Sequence, residues 1–207
     1  MIFLIITTSI MDKAHKSSGP HRNQTYIDAI TQTLSVLPSN IQPIIVENNN
    51  NTETFLDNFK IPVHYTNNNV LQYQHKGQNE LQDIKSVIEA YNIQDDDFII
   101  KLTGRYFPFN DDFFNLVIDE EDNYEVFIKF FNVCTLEYMD NDCVLGFYAM
   151  KCKYLKDFNY LKYHETLSME VQFATYIRNT ITKEKIYEVP CLYLRCCFAE
   201  NLKIVDV

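Results

Sequence analysis

Residues 2–10, IFLIITTSI, form an unbroken apolar and β-branched run that ends in threonines and a serine. A strand that faces water on one side alternates in polarity, whereas a run without alternation belongs to a strand covered on both faces, as inside a parallel sheet. The run lacks a basic leading region and a small-residue cleavage site, so it reads as a first buried strand and not as a signal peptide.

Beyond this run the chain repeats a strand-then-helix order. Ser17, Ser18, Gly19 and Pro20 mark a loop, and TYIDAITQTLSVL then sets Tyr26, Ile27, Ile30, Leu34 and Leu37 at helical spacing before Pro38 stops it. PIIVENNN and IPVHYTNNN are short strands running into polar turns, with a brief helical segment around TFLDNF between them. QNELQDIKSVIEAY carries Leu81, Ile84, Val87 and Ile88 as one apolar stripe of a helix. DDDFIIKLTGRYFP then supplies a strand over FIIKL. After it come a helix-like NDDFFNLVI, a strand EVFIKFFNV, a second apolar segment VLGFYAMKCKYL, a late helix SMEVQFATYIRN and a final strand YEVPCLYLRCC.

Strands alternating with helices predict an α/β fold, a central, mostly parallel, twisted sheet flanked by helices on both faces. The 207 residues carry no repeat, low-complexity tract or linker, which predicts a single domain over 1–207. No apolar run approaches the roughly 20 residues of a membrane span. The net charge of −10 argues against nonspecific nucleic-acid binding, because phosphate repulsion would have to be overcome locally. Six cysteines, at 134, 143, 152, 191, 196 and 197, show neither CxxC nor histidine-interleaved spacing and read as reduced thiols of a cytoplasmic protein.

In parallel α/β sheets, ligands bind beyond the carboxyl ends of the strands. The aspartates 95–97 precede FIIKL and belong to the opposite edge, where they read as solvated. Thr103, Gly104 and Arg105 follow that strand and belong to the functional edge. The same rule gathers Thr7, Thr8 and Ser9 after the first strand, Glu47, Asn48 and Asn49 after the second, and Thr66 after the third. His75, Lys76 and Gly77 lead into a helix whose first turn carries Asn79 and Glu80, and such a terminus, with its unpaired N–H groups and dipole, suits a phosphate. Each feature also has a plain reading as a turn or a solvated loop; their convergence on one edge is what gives them weight.

KGQNELQDIKSVIEAYNIQDDDFIIKLTGRYFPFND and FIKFFNVCTLEYMDNDCVLGFYAMKCKYL resemble glycosyltransferases of the GT-A fold, in particular the GT-A domain of chlorovirus-encoded enzymes of capsid-protein glycan synthesis. The resemblance implies transfer of a glucose- or rhamnose-like sugar from a UDP-sugar to a glycan or glycoprotein acceptor, with Mn²⁺ or Mg²⁺ as cofactor, in the host-cell cytosol. Residues 1–110 would form the nucleotide-sugar half and 111–207 the acceptor side, in a chain that could be one domain of a longer protein. By family position Thr7, Thr8 and Glu47 would meet the nucleoside and Lys76, Asn79 and Glu80 would lie near the ribose or diphosphate, with Asn48 and Gly77 in the same nucleotide-sugar site.

The Asp-x-Asp of that family corresponds here to Thr103-Gly104-Arg105. Three accounts of this departure stand: Arg105 neutralises the diphosphate directly, a metal rides on phosphate oxygens and water, or Asp140 and Asp142 supply carboxylates. For inversion at the anomeric carbon a carboxylate base is needed. The resemblance implies that this base is an acidic residue at the start of a late helix, and Glu170 looks like that position, with Asp142 and Glu165 as alternatives. Ser168 capping that helix and an acidic first turn would account for Glu170 without catalysis.

Overall fold

The computed structural model describes residues 1–11, 20–50, 52–70, 76–159, 167–198 and 204–207. Strands β1 (Ile2–Thr8), β2 (Ile41–Glu47), β3 (Val63–Tyr65), β4 (Phe98–Thr103), β6 (Val126–Ile128), β7 (Phe147–Lys151) and β8 (Ile186–Glu188) form one sheet in the order β3-β2-β1-β4-β7-β6-β8. Only β7 runs against its neighbours; the others point the same way. A second sheet joins β5 (Phe107–Pro108), β9 (Leu194–Cys197) and β10 (Ile204–Asp206) in the order β10-β9-β5.

Every residue of β1 is buried, as its lack of alternation predicts. Its side chains divide between two apolar layers. Phe3 and Ile5 pack with α2 (Lys76–Ala90), α4 (Cys152–Asp157) and α5 (Met169–Thr180), through Leu81, Ile84, Leu155, Phe173 and Ile177. Ile2, Leu4 and Ile6 face the layer of α1 (Pro20–Val36), α3 (Asp112–Glu120) and the small sheet, through Tyr26, Ile30, Phe114 and Leu194.

The structure corrects or refines four expectations. The strand read over EVFIKFFNV is ordered as strand only through Ile128; the chain then folds back, with Phe131 N–H donating to Asp142 O and Val144 N–H to Lys129 O. The segment VLGFYAMKCKYL holds the reversed strand β7 and, without a break, α4. The final strand YEVPCLYLRCC is two strands in different sheets, β8 and β9, because Pro190 has no N–H to continue a ladder. At the opposite edge Asp95 and Asp96 are exposed as expected, but Asp97 is buried and accepts the Gln94 N–H at 2.8 Å.

Candidate active site

The parallel register brings Thr7 opposite Thr103 and Thr8 opposite Glu47, so the strand ends form one edge. Glu47 is wholly buried there. Its carboxylate accepts from Thr8 Oγ1 at 2.6 Å, from the Ile10 N–H at 3.2 Å and from the Asn49 amide. Burial raises its pKa, against the pull of these donors. With its oxygens so occupied, Glu47 shapes the turn that leaves β1, a different task from the direct nucleoside contact that the resemblance implies.

Beside it lies a charge that sequence reasoning missed. Lys101 sits in the middle of β4 and is 1% exposed. Its ammonium spends its three donors on Glu80 Oε1 at 2.9 Å, Thr103 Oγ1 at 2.8 Å and Leu145 O at 3.1 Å. Glu80 also accepts from Thr7 Oγ1. One lysine thus ties β4, the approach to β7 and α2 to the end of β1, with Glu80 in the second turn of that helix and not in its first as expected, because the helix already starts at Lys76. In the sequence it read as one polar residue inside the apolar FIIKL, with nothing nearby to signal a partner.

Gly104 donates its N–H to Thr7 O at 2.9 Å, and a Cβ on it would lie 2.9 Å from Thr8 Cγ2 and 3.1 Å from Thr7 O. The turn after β4 is therefore pressed against the end of β1, which requires glycine. Gly77 is similar: a Cβ there would stand 2.7 Å from Met169 Cγ. The N-termini of α2 and α5 meet at that contact, which brings Glu170 to the same edge. Lys76 opens α2, and its side chain, with His75, lies outside the described residues.

Arg105 is half-buried and reaches back under the exit of β1. Its Nη1 donates to Tyr26 Oη at 3.1 Å, and its guanidinium lies 5.7 Å from the centre of the Tyr26 ring. Arg22 lies 5.6 Å from the same ring centre, with Nε and Nη2 both donating to Ser9 O. Tyr26 Oη in turn accepts the Ser9 N–H at 3.1 Å. Among the described residues neither guanidinium has a carboxylate within ion-pair distance.

A second buried carboxyl holds the neighbouring turns. Asp83, 1% exposed on α2, accepts from Asn48 Nδ2 at 2.9 Å, Thr66 Oγ1 at 2.6 Å and Asn68 Nδ2 at 2.7 Å. Burial pushes its pKa up to about 6. The two asparagine clusters, read as plain turns, are joined here by Asn69 donating to Asn49 Oδ1 and to Asn48 O. Asn79 lies one helical turn before Asp83 on the same face of α2. The buried Oδ1 atoms of Asn48 and Asn79 have no hydrogen-bond donor among the described residues.

On the acceptor side, Glu170 occupies the first turn of α5, behind the Ser168 cap, and is half-buried. Asp142 is buried, with one oxygen taking Asn132 Nδ2 at 2.6 Å and the other the Cys143 N–H at 2.7 Å. Asp140 is exposed. This corrects the Asp140–Asp142 account: the two do not form a paired carboxylate site, because Asp142 folds the loop. The same bonds leave Asp142 poorly suited to act as a base. Glu165 lies outside the described residues.

The residues at the end of β4 do not fit a divalent cation gripped by this chain. The position offers a hydroxyl already bonded to Lys101, a glycine and a guanidinium, and a fixed positive charge repels a metal ion. Among the described residues no group of three or more His, Cys, Asp or Glu side chains is placed to hold one.

No family model and no curated protein matches the sequence. Solved structures do. A protein of Desulfovibrio desulfuricans, provisionally named a nucleotide-diphospho-sugar transferase, aligns with 91% of this chain and 79% of its own at 7% identity and a TM-score of 0.55. CMP:2-keto-3-deoxy-manno-octonic acid synthetase, solved with CTP, aligns with 91% of this chain and 89% of its own at 13% identity and a TM-score of 0.51. The 4-diphosphocytidyl-2C-methyl-D-erythritol synthase of Anaerococcus prevotii covers 91% and 86% at 14% identity and a TM-score of 0.51. The chain has the fold shared by nucleotide-diphospho-sugar transferases and nucleotidyltransferases. No helix among the described residues is long and apolar enough to cross a membrane.

Proposed function

We propose that this chain is a glycosyltransferase that takes a sugar from a UDP-sugar, glucose- or rhamnose-like, and passes it to a glycan acceptor with inversion. The observation that carries the reading is Arg105: a half-buried guanidinium without a carboxylate partner among the described residues, at the strand end where this fold meets its ligand. A permanent cation removed from water calls for an anion, and a diphosphate presents the paired oxygens a guanidinium binds best.

The glycosyl bond to UDP is already activated, so the enzyme's tasks are to stabilise charge on the departing diphosphate and to align the acceptor. Arg105 does the first, binding the developing charge more strongly than the ground state. Thr103 and Gly104 hold that arginine's turn on the end of β1, through Lys101 and Thr7 O. The amide oxygens of Asn48 and Asn79 are buried acceptors without a donor among the described residues, which a nucleoside hydroxyl or N–H would satisfy only if the side chains turned toward it. Glu170 takes the proton of the attacking hydroxyl, from a helix whose start abuts that of α2 at Gly77 and Met169. The donor set fits the account in which a guanidinium, and not a chain-held metal, neutralises the diphosphate. A viral capsid glycan as acceptor rests on the sequence resemblance alone.

Glu170→Gln tests the assignment: transfer from UDP-sugar to a defined acceptor should fall at least about 100-fold, the usual scale of general-base catalysis, with UDP affinity kept. Near-normal turnover would remove Glu170 from the mechanism. A nucleotidyltransferase is the second reading, favoured by the likeness to the CTP-bound synthetase. It would release pyrophosphate from a nucleoside triphosphate and a sugar phosphate, a product that UDP-sugar transfer does not give. The segment after β1, TTSIMDKAHK, has none of the glycines with which such enzymes wrap a triphosphate.

A further inference from the structure

The Tyr26 ring is a meeting point for two positive charges from distant parts of the chain, Arg22 on α1 and Arg105 after β4. In a protein with a net charge of −10 and 18 lysines and arginines against 28 acidic residues, a pair of cations clustered without a carboxylate among the described residues is the reverse of what random placement gives. Like charges on one ring repel, and the ring's negative face compensates only partly. Something with at least two negative charges would relieve the repulsion.

We propose that Arg22 is a second guanidinium of the ligand site, which clamps a diphosphate between α1 and the turn after β4. This rests on the diphosphate reading of Arg105 and deepens it by making the clamp bipartite. Arg22 is pre-organised for the task. Its Nε and Nη2 are both anchored on Ser9 O, at 3.1 and 2.7 Å, which fixes the plane of the guanidinium, and its Nη1 has no acceptor among the described residues. Arg105 is fixed from the other side by Tyr26 Oη and, at 3.5 Å, by Cys197 O. Ser9 joins the halves, since it accepts from Arg22 through its carbonyl and donates its N–H to Tyr26 Oη. The arrangement places fixed positive charge directly after β1, beside the turn that Glu47 shapes, so the charge is delivered by rigid elements and not by free side chains.

The alternative role for Arg22 is to brace the Ser9 carbonyl without touching any ligand. Titration of UDP and of uridine into the wild type, Arg22→Ala and Arg22→Gln separates the two. Arg22→Gln keeps an N–H for the carbonyl and removes the charge, and at this half-buried helix start it leaves the core untouched. The clamp predicts that both variants bind UDP about tenfold more weakly, bind uridine as the wild type does, and show a shallower dependence of UDP affinity on salt. Wild-type UDP affinity in Arg22→Gln, or an equal loss for UDP and uridine in both variants, overturns the clamp while leaving the reading of Arg105 intact. A wild type that does not bind UDP overturns both.

Discussion

Asp83 is a carboxyl group held by three donors where water scarcely reaches, and it joins the turns after β2 and β3 to α2. Desolvation raises its pKa from 3.8 to about 6, outweighing the donors, with Glu80 adding a smaller push in the same direction. Because the folded pKa lies above the unfolded one, the folded chain keeps a proton that the unfolded chain has released. The stabilisation is complete below about pH 3.8 and is lost as pH rises through 6. Unfolding in urea at a series of pH values should therefore show the wild type losing roughly 2–3 kcal/mol relative to Asp83→Asn between pH 4 and 7.5. A difference that stays constant with pH would mean that Asp83 is already ionised in the fold across that range. Residues such as this were the least legible in the sequence. Asp83 and Lys101 became meaningful only when distant segments closed around them, and a single polar letter in an apolar stretch does not announce its partner. Glycines were easier, since Gly77 and Gly104 stood at strand–helix junctions, yet the neighbours that require them, Met169 and Thr8, come from elsewhere in the chain.

At the level of elements, periodicity carried most of the order from β1 to β4, because each strand is a short apolar run and each helix an amphipathic one. It failed where two elements share one apolar stretch, as β7 and α4 do, and where Pro190 divides a stretch between sheets. The reversal of β7 was not visible either, since a buried strand reads alike in both directions. Helix α5 was legible down to its cap: Ser168 Oγ accepts the Val171 N–H at 3.2 Å. Ser168→Ala should cost about 1 kcal/mol of stability, measured as a lowered denaturation midpoint at unchanged slope. An unchanged midpoint would show that the packing of Met169, Phe173 and Ile177 fixes the start of α5 without help from the cap.

For the molecule as a whole, the parallel sheet decides where chemistry can occur. Six strand ends open on one edge, and the polar residues after β1, β2, β3 and β4 accumulate there, a convergence expected from strands alternating with helices. That alternation did not predict how much of the polarity is internal. Glu47, Asp83, Lys101 and Asp142 spend their bonds on the chain itself, which leaves the guanidinium groups of Arg22 and Arg105 as charges at this edge without a carboxylate partner among the described residues. The central claim is that this edge binds a nucleoside diphosphate through Arg105. Isothermal titration of UDP, GDP and CMP, each with and without Mn²⁺, into the wild type and Arg105→Ala tests it most directly. The account predicts selective UDP binding that does not require the metal and that weakens at least about tenfold in Arg105→Ala, the loss of about 1.4 kcal/mol expected for one charge-assisted contact. Unchanged affinity in that variant, or no binding of UDP to the wild type, would contradict it.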